Sequence, residues 1–384
     1  MDHFRREKMN TDKYFLENYQ ESKQRFLKSF DDIKNIWPKC EYHEYPISKD
    51  DKSISIDTIT AYPNEYNKNL IIITTGEHGI EAYVGVAMLH RFIDTYLSQL
   101  DSNNTGILLV HGLNPWGMKY KRRVNENNID LNRNFIWNWN RFDKKINVFY
   151  KKLHKFFAPE GEIKNKTLND AVFYKNLIQS ILKSGISNFK AAPILGQYET
   201  PNGIYYGGNG YELSTEYMID LYNHHVKNFE KIIHIDIHTG YGPRNQMSIV
   251  NSSLETRKSQ DLVEKFSYPL VQKANLDEFY AIQGDMIDYF YRYMKENHKD
   301  KNYYGTCFEF GTFGDSLGAS IKSLKTMIDE NRLYFNSTKD EKAKEKIEDD
   351  FLEMFYPKDK EWREKATKDF VHAIEGILRY ETII

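Results

Sequence analysis

Leu70-Ile71-Ile72-Ile73-Thr74-Thr75-Gly76-Glu77-His78-Gly79-Ile80-Glu81 is an apolar run that stops at a Gly and passes straight into a His and a carboxylate three residues apart. The run is short, β-branched and closed by Gly76, which predicts a buried strand. Ala82 to Leu97 carries the pattern of a helix. His78 and Glu81 therefore stand where a strand hands over to a helix, the place at which open α/β sheets collect their active sites. An imidazole and a carboxylate at this spacing can grip one zinc ion. A hydrolytic zinc takes three protein ligands, commonly two His and one carboxylate, and leaves its fourth position to water.

Lys231-Ile232-Ile233-His234-Ile235-Asp236-Ile237-His238-Thr239-Gly240 is a second β-rich run ending on a Gly. Side chains alternate along a strand, so His234, Asp236 and His238 share one side. His238, at the C-terminal end, is the expected third ligand. Asp236 is either its hydrogen-bonding partner or a group on the neighbouring strand face. Taken alone, His238 could equally cap a strand. A third run, Thr306-Cys307-Phe308-Glu309-Phe310-Gly311-Thr312, places a carboxylate inside an otherwise apolar strand. An unpaired buried carboxylate costs several kcal/mol, so Glu309 needs a charged partner or a task. Beside zinc that task is general base; without it, a salt bridge to a Lys or Arg is the ordinary explanation. Cys307 shares the side of Glu309 and reads as a small core residue.

The segment Lys121-Arg122-Arg123-Val124-Asn125-Glu126-Asn127-Asn128-Ile129-Asp130-Leu131-Asn132-Arg133-Asn134-Phe135 follows the strand Ile107 to Val110 and the turn signal Asn114-Pro115-Trp116-Gly117. The planar fork of Arg matches a carboxylate two bonds at a time. An Asn-Arg pair beside a zinc suits a substrate carboxylate, and a further Arg could polarise a carbonyl. By itself such a basic, Asn-rich stretch is usually a solvated loop.

Together these motifs, spanning residues 76 to 312, resemble the zinc carboxypeptidase superfamily (metallopeptidase family M14), including its aspartoacylase and succinylglutamate desuccinylase branch, and most closely the DUF2817 proteins. The resemblance implies one Zn2+ held by His78, Glu81 and His238, with Glu309 as catalytic base. It implies that Asn132 and Arg133 bind a substrate carboxylate. The carbonyl-polarising Arg maps to Arg123, with Arg122 in reserve. The substrate-binding Tyr of that superfamily has no direct counterpart; its place falls to something in the Gly- and Tyr-rich stretch Gln197 to Gly208, which otherwise reads as a surface loop.

The chain has 384 residues and a net charge of −2. It can bury a large core, and one α/β domain is expected over 1–384: a mostly parallel or mixed twisted sheet with helices on both faces. An N-terminal helix over 12–37, a helical insertion over 140–230 and a C-terminal helical extension over 316–384 decorate it. Ser53 to Thr60 alternates strictly, which predicts an edge or half-exposed strand. Nothing global points to nucleic acid. Met1 to Lys8 lacks the apolar stretch of a secretory signal, and no run approaches the ~18 apolar residues that span a bilayer. Two Cys residues, Cys40 and Cys307, make no disulfide framework. A cytoplasmic protein without a membrane partner is the expectation, with no reading of its oligomeric state. Substrate classes are a small peptide, cut as by a carboxypeptidase, or a small N-acyl amino acid, cut as by an aspartoacylase. A zinc- or ligand-binding protein without turnover is the rival from outside the enzymes. No Gly-x-Ser-x-Gly elbow supports a serine hydrolase.

Overall fold

The structure, a computed structural model, describes residues 11–48, 51–274 and 283–384. Met1 to Lys8 lies outside them. In chain order the elements are α1 (Tyr19–Ile36), β1 (Cys40–Pro46), β2 (Ser55–Ala61), β3 (Asn69–Thr75), α2 (Ala82–Tyr96), β4 (Thr105–His111) and α3 (Pro115–Lys119). Then come α4 (Val148–Phe157), α5 (Lys166–Ser184), α6 (Ile186–Ile194), α7 (Leu213–Val226), β5 (Lys231–Thr239), β6 (Met247–Asn251) and α8 (Ser259–Phe266). β7 (Val271–Lys273), α9 (Met286–Asn297), β8 (Asn302–Phe310), α10 (Leu317–Asn336), α11 (Glu341–Phe355) and α12 (Lys360–Tyr380) complete the fold.

One mixed eight-stranded sheet runs in the order β1-β2-β4-β3-β5-β8-β6-β7. Its centre, β4-β3-β5-β8, is parallel, so these strands end at one edge. Antiparallel pairing joins β1 to β2, β2 to β4, and β6 to β8. Parallel strands need cover on both faces, and β3 shows why its sequence is apolar throughout. Ile71 and Ile73 join Phe26, Val86, Phe308 and Phe370 on one side, with α1, α2, α8 and α12. Leu70 and Ile72 join Met218, Tyr222 and Phe290 of α7 and α9 on the other. A third cluster holds α4, α5 and α6 against α10 and α11 beside the site.

Two expectations change. β2 is no edge strand: β1 pairs with its free side, and its side chains are buried because both faces are covered, Ile59 and Ala61 in one core cluster and Ile56 in the other. Its polar residues are satisfied inside, with Asp57 accepting from the Tyr42 hydroxyl at 2.6 Å. The N-terminal helix begins at Tyr19 rather than residue 12, because the side chain of Asn18 accepts from the backbone N–H of Glu21 and caps it there. Among the described residues no helix is long and apolar enough to cross a membrane.

Candidate metal centre

The C-terminal ends of β3, β5 and β8 are neighbours, and they bring the predicted residues to one place. His238 stands opposite Glu309 in the β5–β8 register. After β3 the chain turns at Gly76, whose φ of +69° and distance of 2.6 Å from a built Cβ to the Ala82 Cβ leave room only for glycine. One 3-10 turn, Gly79–Glu81, then lifts Glu81 beside His78.

The His78 Nδ1 lies 2.9 Å from Glu81 Oε1. The His238 Nδ1 lies 3.1 Å from the His78 Nδ1 and 3.1 Å from Glu81 Oε2. All three residues are buried, and their donor atoms lie within 4.8 Å of one another. The outer ring nitrogens decide what this means. His78 Nε2 faces Asp130 Oδ1 at 3.0 Å, and His238 Nε2 faces Asp236 Oδ2. A carboxylate only accepts, so a neutral ring puts its proton on Nε2 and turns the Nδ1 lone pair inward. Two lone pairs and a carboxylate then converge with no proton between them, and a cation is the group that fits. Burial opposes a positive His238, but its contacts with Cys307 and Asp236 raise its pKa well above the ordinary value. Glu77, Asp236 and His238 form a second grouping of donor atoms. A neutral ring has one lone pair, so His238 serves only one of the two. The inner grouping opens to the cavity next to Glu309, whereas burial pushes the Glu77 carboxyl well above its usual range and favours its neutral form.

Glu81 is held low. Burial works against its charge, but the His78 and His238 rings outweigh that. Its Oε2 also accepts from the Thr239 N–H at 3.0 Å. Glu309 goes the other way: burial first, then the Glu81 carboxylate, push it up to about 8, with the Tyr241 N–H donating to its Oε1 at 2.9 Å.

Arg123 and Arg122 part company. The backbone carbonyls of both accept from the loop at Gly79 and Ile80, which lays the segment alongside the site. Arg123 turns inward, pairing with Asp130 and lying 3.8 Å from Glu81 Oε1. Arg122 turns outward, where Glu330 takes its Nε at 2.7 Å and the Tyr334 ring lies 3.6 Å from its guanidinium. Arg122, held in reserve for that role, does not line the cavity with Arg123 and pairs with α10 instead.

His78, Glu81, Arg123, Asn132, Arg133, His238 and Glu309 all line one cavity of about 380 Å³. Asn132 Oδ1 and Arg133 Nε are buried there without a hydrogen-bond partner. Sequence reasoning gave Asp130 no role, although it joins His78 to Arg123. Burial opposes its charge, yet Arg123, Arg133 and His78 hold its carboxyl well below the usual range. Its signal was present, as an acid two residues before Asn132, but only the fold brings it to the ring. Tyr205, inside the stretch expected to supply a substrate-facing group, also lines the cavity, with the Arg123 and Arg133 guanidiniums 5.2 and 5.5 Å from its ring.

Over residues 15–369 the sequence matches the family described as "Protein of unknown function (DUF2817)". No curated protein matches it. Among solved structures it is similar to bovine thrombin-activatable fibrinolysis inhibitor in complex with tick carboxypeptidase inhibitor, at 13% identity over 83% of this chain and 97% of that one, with a TM-score of 0.45. A metallo-carboxypeptidase from Burkholderia cenocepacia is 11% identical over 79% of this chain and 66% of that one, with a TM-score of 0.37. An aspartoacylase family protein from Mesorhizobium loti is 12% identical over 77% and 66%, with a TM-score of 0.36.

Proposed function

The chain belongs to the DUF2817 family, and on that premise we propose that it is a zinc-dependent amide or peptide hydrolase of the carboxypeptidase type, acting on a substrate with a free carboxylate. One observation carries the reading: two imidazole lone pairs and a carboxylate converge within 4.8 Å, in a cavity that also holds the buried Glu309 carboxyl. The donor set of two nitrogens and an oxygen suits one Zn2+, held by His78, Glu81 and His238. Bound there, the ion would supply Lewis acidity to a carbonyl and to water.

The chain's own residues supply the rest. Glu309 takes the proton of the attacking water and returns it to the leaving amine; a carboxyl titrating near neutrality can do both. Arg123, fixed by Asp130 beside the ligands, faces the charge that develops on the carbonyl oxygen. Arg133 and Asn132 hold the substrate carboxylate, which accepts from the otherwise unpaired Arg133 Nε–H and from the side-chain amide N–H of Asn132. Tyr205 closes the cavity over both guanidiniums.

A deacylase of small N-acyl amino acids is the second reading, favoured by the insertion. Ile181, Phe189 and Ile194 of α5 and α6 line the cavity, which narrows the space for a long peptide. The test is a panel of peptides and N-acyl amino acids offered to zinc-loaded and chelator-treated protein. Chelator-sensitive release from one class assigns it. No hydrolysis of either class, with zinc bound, would leave a binding protein instead.

A further inference from the structure

α5 carries two apolar faces. Phe173 and Leu177 point inward into the cluster of α4, α6, α10 and α11. The opposite face meets solvent: Leu168, Ile178 and Leu182 are 59%, 60% and 81% exposed, and Val172 and Ile186 are also exposed. Positions 168, 171, 175, 178 and 182 step by three and four residues, so they fall in one stripe about four turns long. One apolar face suffices to seat a helix on its protein. A second, exposed over its whole length, marks a surface that something covers.

Charge indicates what covers it. Residues 141 to 190 contain 11 Lys or Arg and 4 Asp or Glu, a net +7 in a chain whose total is −2. Lys151 and Lys166 are paired with Glu199 and Asp170. Lys175, in the middle of the stripe, and Lys183, beside Leu182, are exposed. Two copies of the chain joined about a two-fold axis on this stripe would set these lysines against each other, which disfavours self-association. Apolar side chains framed by lysines are the pattern of a helix lying in the headgroup plane of an anionic membrane.

We propose that the outer face of α5 docks this protein on the surface of an anionic lipid bilayer. Past the break at Gly185, Ile186 at the start of α6 is exposed and also lines the catalytic cavity, so the docked face ends beside the cavity rim. The absence of an 18-residue apolar run excludes a helix that spans a bilayer but not one that lies on it. Docking stands whether or not the site cleaves amides.

The full-length protein is sedimented with vesicles of phosphatidylcholine alone or of phosphatidylcholine with phosphatidylglycerol. Partition into the anionic vesicles is expected to exceed that into neutral ones by about tenfold or more and to weaken as salt is added. Ile178→Glu with Leu182→Glu should lower it by about tenfold or more without moving the unfolding midpoint, since both side chains already face water. Lys175→Glu with Lys183→Glu should do the same with the apolar stripe intact. Three outcomes overturn the proposal: no sedimentation with anionic vesicles at low salt; binding unaffected by either pair of substitutions; or a dimer in sedimentation equilibrium that the Ile178/Leu182 variant dissociates.

Discussion

Glu309 and Asp130 are both buried carboxyls within reach of the same ring pair, and their surroundings separate them. Asp130 sits among cations and stays charged, whereas at Glu309 burial and the Glu81 carboxylate outweigh His238, the Tyr241 N–H and Arg123 and push it up to about 8. One suits holding a ring in place, the other moving a proton. Glu309→Gln should cut hydrolysis by at least about 100-fold while leaving zinc stoichiometry unchanged, as read by metal analysis beside the assay. Full turnover in that variant would remove Glu309 from the base role. Asp130→Asn replaces the acceptor on His78 Nε2 with an amide and should weaken metal binding by about 10- to 100-fold, measured by competition with a chromogenic chelator. The candidate ligands His78 and Glu81 stood out in the sequence because a His and a carboxylate at a strand end have few other uses. Asp130 was not, because its partners come from residues 52 positions before it and 7 before it, and no local pattern announces that.

At the scale of elements, the central strands were readable because burial on both faces makes them continuously apolar, as in Leu70 to Ile73. β2 misled because the mixture of Ile with Ser, Thr and Asp looks like one wet face, yet β1 covers its edge and a core cluster covers each of its faces. The choice between Arg122 and Arg123 likewise had no answer in the sequence. Only the backbone bonds to Gly79 and Ile80 set which of the two points inward. The turn after β3 was legible as a Gly, and its requirement is testable. Gly76→Ala forces a side chain into positive φ and against Ala82, and should cost about 1–3 kcal/mol in urea unfolding. Because that turn aims the 3-10 turn bearing Glu81, metal affinity should fall with it. A variant as stable as the parent would show that the turn can relax.

Across the whole molecule, histidines also lie buried away from the site. Two of them, His90 and His111, lie in the layer between α1 and the sheet, near Ser29 and Ser22. Burial lowers each to about 3, with neighbouring cations adding to the effect. A ring whose folded pKa is depressed stabilises the fold fully above its unfolded value of about 6.5, and loses that contribution as pH falls toward the folded value. Each ring can therefore cost up to about 1.4 kcal/mol per pH unit below that point. Asp57, pushed by burial to about 6, acts in the opposite sense: its protonated form is the stable one, and stability drops as pH rises through that value. Comparing the parent with a His90→Gln, His111→Gln variant cancels the titrating groups remote from both rings; Asp57, 3.9 Å from His111 Nδ1, is the group that does not cancel. The variant should be the less stable at pH 7.5, since two packed rings are altered, yet should lose less stability between pH 7.5 and 5 than the parent does. Urea midpoints at the two pH values measure this directly. Equal losses in both proteins would mean that these rings already carry their protons in the folded state, which a layer this dry should forbid.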